Sequence, residues 1–218
     1  MKNIFTLALL GFTVGTSYAQ TTIKAGTVQL GGAVGYSHNT QDVPTYTPNG
    51  YPITATYTQS QFQVAPSLGF FVADNLAVGI NASYQISRTS TKQSNGGSAP
   101  DVKPWQLQAG AFVEYYKMLI EQFGFTGTLG GGYLHTDQGQ ATNTAKSNGF
   151  YAGLTPGIIF FPIPKIGIGA SVGSINYSSQ QVKNPGSTGT STKYDSSSFG
   201  ANFGLNQLTF SGTYYFGR

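Results

Sequence analysis

Cysteine is absent from the 218 residues, which excludes a disulfide framework, thiol nucleophiles and thiolate metal sites. Charge is scarce: Asp, Glu, Lys and Arg make up 8% of the chain, against about 25% in ordinary soluble domains. The formal net charge is +4, but the lysines are dispersed and form no basic patch, so no nucleic-acid partner is expected. Long apolar runs are missing as well. Nowhere do about 18 apolar residues follow one another, so no transmembrane helix is expected. What the chain does have is 30 Gly, 14 Tyr and 15 Phe. Little charge, many aromatics and much glycine fit a membrane protein that crosses with strands.

The first residues read as an export signal. Met1-Lys2-Asn3 is short and positive, Ile4 to Val14 is mostly apolar, and Gly15-Thr16-Ser17-Tyr18-Ala19 ends in a small residue before Gln20. A secretory signal peptide over 1–19, cleaved after Ala19, is expected. Residues 20–218 are then one domain.

The clearest periodicity lies in the first half. Leu76, Val78, Ile80, Ala82, Tyr84 and Ile86 share one face, and Ala77, Gly79, Asn81, Ser83, Gln85 and Ser87 share the other. Period 2 over that length is a strand between two unlike environments. Asp74-Asn75 supplies a tight turn, and the alternation before it (Phe62, Val64, Pro66, Leu68, Phe70, Val72) completes a hairpin. The polar face is Gly, Ser, Thr, Asn and Gln with almost no charge, which suits a narrow lumen. The apolar face is broad and continuous, which suits lipid.

The same unit recurs along the chain. Val28 to Ser37 gives a first strand; Trp105, Leu107, Ala109, Ala111, Val113 and Tyr115 mark a fourth. Phe123 to Tyr133, Phe150 to Phe160, Ile166 to Val172 and Phe199 to Phe216 give four more, the last with a phase slip that a bulge around Asn206-Gln207 would produce. Short connections (73–75, 118–121, 162–165) alternate with four polar segments (38–56, 90–101, 136–147, 178–197) read as loops. The expected fold is all-β: a transmembrane eight-stranded antiparallel up-and-down β-barrel with short periplasmic turns and four long extracellular loops, in the bacterial outer membrane. Pro66 and Pro156 fall inside strands, where each removes a ladder donor, and a local bulge is expected at both.

Aromatics gather at strand ends. Tyr36, Tyr84, Trp105 and Tyr133 fall near outer ends, and Tyr115 and Phe160 near periplasmic ends, the positions of two interface girdles.

Three segments carry a family resemblance. Pro66-Ser67-Leu68-Gly69-Phe70-Phe71-Val72-Ala73-Asp74-Asn75-Leu76-Ala77-Val78-Gly79 resembles the second hairpin of the outer-membrane β-barrel domain proteins of Bacteroidetes, often labelled porin family. Pro156-Gly157 with Ile158 to Lys165 resembles the matching third hairpin. Leu208 to Phe216, with Phe210, Tyr214 and Phe216 on alternate positions, resembles the C-terminal insertion signal of such barrels, although Gly217-Arg218 follow where such chains commonly stop at the aromatic. The resemblance implies an outer-membrane location, lipid and lipopolysaccharide as neighbours, and the barrel-assembly machinery as a partner during insertion. It does not fix a function.

The lumen offers little chemistry. Glu114 is the one acidic residue inside a strand and faces in, with Gln106 and Gln108 on the same face. Together they are the candidate polar site, with Glu114 either a hydrogen-bonded interior carboxylate or a group that biases cations through a constriction. A structural or surface-interaction barrel is the first expectation and a narrow pore the alternative. A lipid A-modifying enzyme would need an interfacial His with Ser or Asp. His38 and His135, the latter two residues from Asp137, are the only histidines, and no catalytic residue is assigned. Two histidines make a poor metal site, so no metal or cofactor is expected. A soluble lipocalin-like binder would instead turn the Leu76–Ile86 face inward. A monomer is the expected state.

Overall fold

A computed structural model describes residues 22–139, 144–185, 191–204 and 208–218. The signal peptide expected over 1–19 and the bulge expected around Asn206-Gln207 lie outside the described residues. Strands dominate: β1 (Val28–Tyr46), β2 (Pro52–Ala73), β3 (Leu76–Gln93), β4 (Ser98–Val102), β5 (Trp105–Ile120), β6 (Phe123–Asp137), β7 (Lys146–Ile163), β8 (Ile166–Ser171), β9 (Gly173–Pro185), β10 (Ser191–Phe203) and β11 (Thr209–Phe216). No helix occurs among the described residues.

All 11 strands belong to one antiparallel sheet, in the order β10-β9-β7-β6-β5-β3-β2-β1-β11-β8, with β4 on β3 and a further pairing of β7 with β8. Each of the short connections read from the sequence is a hairpin turn. In the first, Asn75 takes a positive φ of 62°, a conformation that Asn tolerates better than most side chains. The ladder beside β7 is interrupted. Leu154 pairs with Ile175 and Gly157 with Ser171, so Thr155 and Pro156 oppose Val172, Gly173 and Ser174. That is a bulge, and it falls where Pro156 cannot donate. Gly173 sits there at φ +134°, where a Cβ would meet the Asn202 carbonyl oxygen.

Pro66 behaves differently, and the bulge expected there is corrected. Its ladder to β1 runs unbroken through Gly32. Toward β3 the pairs at Ala65 and Pro66 are missing, but the register is the same on both sides, Val64 with Tyr84 and Ser67 with Asn81. The strand keeps its phase and simply forgoes the donor.

Three of the segments expected as long loops (38–56, 90–101 and 178–197) are largely strand among the described residues, whereas in 136–147 β6 ends at Asp137 and β7 begins at Lys146. β1 and β2 stay in register up to Tyr46 opposite Pro52, and β9 and β10 stay in register up to Pro185 opposite Ser191. Thr, Gln and Ser alternate there on both faces, so hydropathy carries no signal, yet these side chains suit a paired strand in water. One seam differs. β1 pairs β11 only over Val28–Gly32, and β10 pairs only β9 among the described residues.

The faces are sorted as a lipid-exposed wall requires. Val78, Ile80, Tyr84 and Ile86 are exposed, as are Leu30, Val34, Leu68, Val113, Leu129 and Leu154 on other strands. The lipocalin-like alternative, which needs this face inside, is thereby overturned. Ile80, 63% exposed, stands midway between the ends of its apolar run. Ile80→Arg should cost about 2–4 kcal/mol of folding stability in a bilayer, measured by urea titration in lipid vesicles. The inward Ser83→Arg should not show this lipid penalty.

Candidate functional site

The inward faces enclose a lumen that changes character along its length. At the end bearing the short turns, Phe71, Ala77, Tyr116, Met118, Ile159, Phe161 and Tyr215 pack into a buried cluster, joined by Ile23 from the segment before β1. Ring contacts bind it: Phe71 to Tyr116 at 5.3 Å, Phe161 to Tyr215 at 5.1 Å and Phe71 to Tyr215 at 6.2 Å between centroids. These residues sit on the otherwise polar, inward phase of their strands. That inversion packs an apolar plug on the inward face at this end.

The segment before β1 and the residue Arg218 after β11 brace the plug. The Ile23 amide donates to the Asn75 side-chain oxygen at 2.8 Å, and the Asn75 amide donates back to the Ile23 carbonyl at 2.9 Å. The Ala25 amide and the Lys24 ammonium both donate to the Asp74 carboxylate, at 3.0 and 3.1 Å. At the other end, the Arg218 guanidinium lies 3.4 Å from the Phe161 ring centroid. It also donates to the carbonyl of Glu121 at 2.9 Å and that of Pro164 at 3.4 Å. One terminal side chain thus ties two turns together beneath the plug.

Immediately above the plug sits Glu114. Its carboxylate accepts from the Gln29 amide at 3.0 Å, the Tyr116 hydroxyl at 2.9 Å and the Thr128 hydroxyl at 3.2 Å. The Tyr116 hydroxyl lies 2.8 Å from the Gln29 side-chain oxygen and 3.1 Å from the Tyr215 hydroxyl. With one proton to give, Tyr116 accepts from Tyr215 while donating to the Glu114 carboxylate, a stronger acceptor than the Gln29 amide oxygen. The interior carboxylate therefore has three donors, on β1, β5 and β6, and among the described residues no ion-pair partner. Gln29 pairs with Tyr215 across the β1–β11 ladder and reaches Glu114 on β5, three strands away in the sheet, which the sequence could not show because Gln29 is 85 residues from Glu114.

Farther from the plug the lumen opens. A cavity of about 160 Å³ beside Glu114 is bordered by hydroxyls including Thr126, Ser171, Ser211 and Thr213. Thr128 and Thr155 also border a larger one of about 590 Å³, where Gln106 and Gln108 lie. Gln106 and Gln108 thus share a cavity with each other but not with Glu114, which sits a level below.

The interface aromatics fall in two bands. Tyr84 and Trp105 rings lie 6.1 Å apart, Trp105 and His135 4.9 Å, and Tyr133 and Phe150 6.4 Å. Tyr36 is paired across from Phe62 at similar height. At the other band Tyr115 pairs with Leu76, and Phe160 with Phe123 and Ile168. Trp105 and Tyr115 are ten residues apart on β5. That is about 34 Å along a strand, or about 26 Å of height at a tilt of about 40°. The apolar band of a membrane barrel is about 25 Å tall. Phe210, Tyr214 and Phe216 line the outward face of β11, with Tyr214 and Phe216 rings 4.7 Å apart.

The histidines engage ordinary partners. His38 Nδ1 is 2.9 Å from the Ser60 hydroxyl. His135 Nδ1 donates to the Asn148 side-chain oxygen at 2.6 Å. Asp137 instead accepts from the Gly139 amide at 2.9 Å and pairs with Lys146 at 3.5 Å. No group of three or more His, Asp or Glu that could hold a metal occurs among the described residues.

Two variants probe the floor. Tyr116→Phe keeps the ring and removes the hydroxyl that Glu114, Gln29 and Tyr215 share. It should cost about 1–3 kcal/mol, read as a lower urea midpoint in vesicles. Asp74 responds to pH. The Ala25 amide, then Lys24, hold its carboxyl below the ordinary carboxylate range. Its contribution is therefore present above the unfolded value and lost as pH falls through the lowered folded value. Pepsin should clip the 22–27 segment faster as pH drops across that window, whereas Asp74→Asn, with no proton to take up, should show no such step.

No protein-family model matches the sequence, and no curated protein does. Among solved structures, the outer membrane protein OprG from Pseudomonas aeruginosa aligns with 88% of this chain and 97% of its own, at 17% identity and a TM-score of 0.56. Outer membrane protein AlkL, solved in DMPC lipid bilayers, covers 93% and 95% at 14% identity, TM-score 0.43. The outer membrane protease OmpT from Escherichia coli covers 92% and 97% at 9% identity, TM-score 0.34. The likeness to OprG is one of fold. Taken with the exposed apolar wall, it gives this chain the fold of a bacterial outer-membrane β-barrel protein, and the bacterial outer membrane as its place.

Proposed function

We propose that the protein is an eight-stranded barrel sealed at its periplasmic end, with a structural or surface-interaction role rather than conduction or catalysis. The observation that carries this reading is the plug: Ile23, Phe71, Tyr116, Met118, Phe161 and Tyr215 are each 2% exposed or less. A hydrated path would have to cross that dry cluster. Eight strands follow if β4 and β5 are one strand interrupted at Lys103-Pro104, β8 and β9 one strand bulged at Val172–Gly173, and β10 and β11 parts of one strand. The ladders of β8 to both β7 and β11 support closure of the wall. Closure of the remaining β1–β10 seam is favoured because an unpaired edge in hydrocarbon leaves backbone groups unsatisfied.

In this reading short turns and both termini face the periplasm, and the hairpin ends face outward. Tyr36, Tyr84, Trp105 and Tyr133 form the outer girdle, with Tyr115 and Phe160 in the inner one. Lipid and lipopolysaccharide surround the wall. The barrel-assembly machinery reads Phe210, Tyr214 and Phe216, and the protein is a monomer of the porin-family type its hairpins resemble. The separate partners of His135 and Asp137 count against a catalytic pair, and the three donors on Glu114 favour a structural carboxylate over a selectivity group.

Conductance of the refolded, signal-free protein in planar bilayers tests the reading, with folding checked by heat-modifiable electrophoretic mobility. Folded wild type and Glu114→Gln should both be silent. Reproducible conductance steps whose cation preference disappears in Glu114→Gln would make the protein a narrow pore and overturn the sealed barrel.

A further inference from the structure

We propose that the outer cavity of the lumen is a binding cup for a small neutral saccharide. The cavity holds about 590 Å³, within the range of roughly 300–1,000 Å³ typical of small-molecule sites. Six carboxamides line it, Gln63, Asn81, Gln106, Gln108, Asn176 and Gln180, contributed by β2, β3, β5 and β9. Hydroxyls of Tyr151, Thr155, Ser174 and Ser178 stand among them, and no Asp, Glu, Lys, Arg or His lines the cavity.

That lining selects by exclusion. An ion held there would give up its hydration without a countercharge, which is costly. An apolar ligand would leave carboxamides facing it unpaired, which is costly too. A polyhydroxylated neutral molecule offers a donor and an acceptor at every hydroxyl, and a carboxamide offers both to it in one plane. Phe112 and Leu134 supply an apolar patch in the same wall, suited to the C–H face of a sugar ring.

Several lining groups are already engaged. The Gln63 amide donates to Ser83 at 3.2 Å, Ser147 donates to Gln180 at 2.7 Å, and Asn176 donates to Ser174 at 2.6 Å. These bonds hold the carboxamides in place. Gln106 and Gln108 differ: among the described residues neither side chain has a hydrogen-bond partner. Two residues apart on β5, they project from one wall at successive inward positions, about 7 Å apart. They are the groups free to take a ligand.

Beneath the cup lie the Glu114 network and the plug, so a ligand would be held rather than passed. The inference rests on the sealed-barrel reading for that last point alone. The same chemistry is offered by a free oligosaccharide and by the end of a surface polysaccharide.

Saturation-transfer-difference NMR on the refolded, signal-free chain provides the test, with maltotriose and dextran as separate probes and glucuronate as the charged control. The detergent must be a zwitterionic one without a sugar headgroup, because glucoside or maltoside headgroups would compete. Transfer to maltotriose but not to glucuronate is expected. Transfer to dextran as well would identify capture of a chain end; its absence would identify a free oligosaccharide as the ligand. The double variant Gln106→Leu/Gln108→Leu should weaken maltotriose binding at least about tenfold. Gly130→Leu should do the same by filling the cavity, since a Cβ at Gly130 has only ordinary contacts, the nearest at 3.5 Å. Absence of transfer to either saccharide with folded wild type, transfer to glucuronate of equal size, or undiminished binding in both folded variants would overturn the proposal. A conducting barrel that binds maltotriose would keep the cup and lose the seal. A silent barrel that binds neither saccharide would do the reverse.

Discussion

One constraint governs this molecule: each strand has a single apolar face, and lipid takes it. The wall is held by backbone ladders and wetted by hydrocarbon on the outside. The inner faces are left with Gly, Ser, Thr, Asn and Gln, side chains that cannot build a dry core. Internal cohesion must therefore come from hydrogen bonds among neutral groups, except where a strand breaks its own alternation. Phe71, Tyr116, Met118, Phe161 and Tyr215 do so within a few residues of the turns, and the buried apolar cluster among the described residues forms there. The position of the plug follows from where the pattern is violated.

Glu114 shows how a single carboxylate is kept in such an interior. With no ion-pair partner among the described residues, it is surrounded by Gln29 and Thr128, which donate from other strands, and by Tyr116 of its own strand. Hydrogen bonds to a charged acceptor are stronger than those between neutral groups. The carboxylate therefore acts as a crosslink between the plug and the polar lumen. The level above carries no charge in its lining, so the cup is chemically distinct from the floor although Thr128 borders both.

Much of this was legible in the sequence, for identifiable reasons. The Leu76–Ile86 alternation marks the face that the structure leaves exposed, and Asp74-Asn75 marks the turn. The outer halves of β1, β2, β9 and β10 were not legible, because Thr, Gln and Ser on both faces leave no periodicity to read. Pro66 misled because a missing donor does not force a register shift when the next rung re-forms. The plug had a signal that was not used: Phe71, Tyr116, Phe161 and Tyr215 are all aromatics on the polar phase beside a turn. The meeting of Gln29 and Glu114 had none, since it depends on register between strands far apart in the chain.

The strands reach well past the lipid. β2 runs for 22 residues, about 75 Å along the chain at a rise of about 3.4 Å per residue, or nearly 60 Å of height at a tilt of about 40°. An apolar band of about 25 Å accounts for less than half of that. The remainder of β2 is hydrogen-bonded strand, paired with β1 as far as Tyr46 opposite Pro52, and β9 and β10 extend likewise to Pro185 opposite Ser191. The β5–β6 ladder stops at Trp105 opposite Asp137, so the extra height belongs to particular hairpins and the rim of the sheet is uneven.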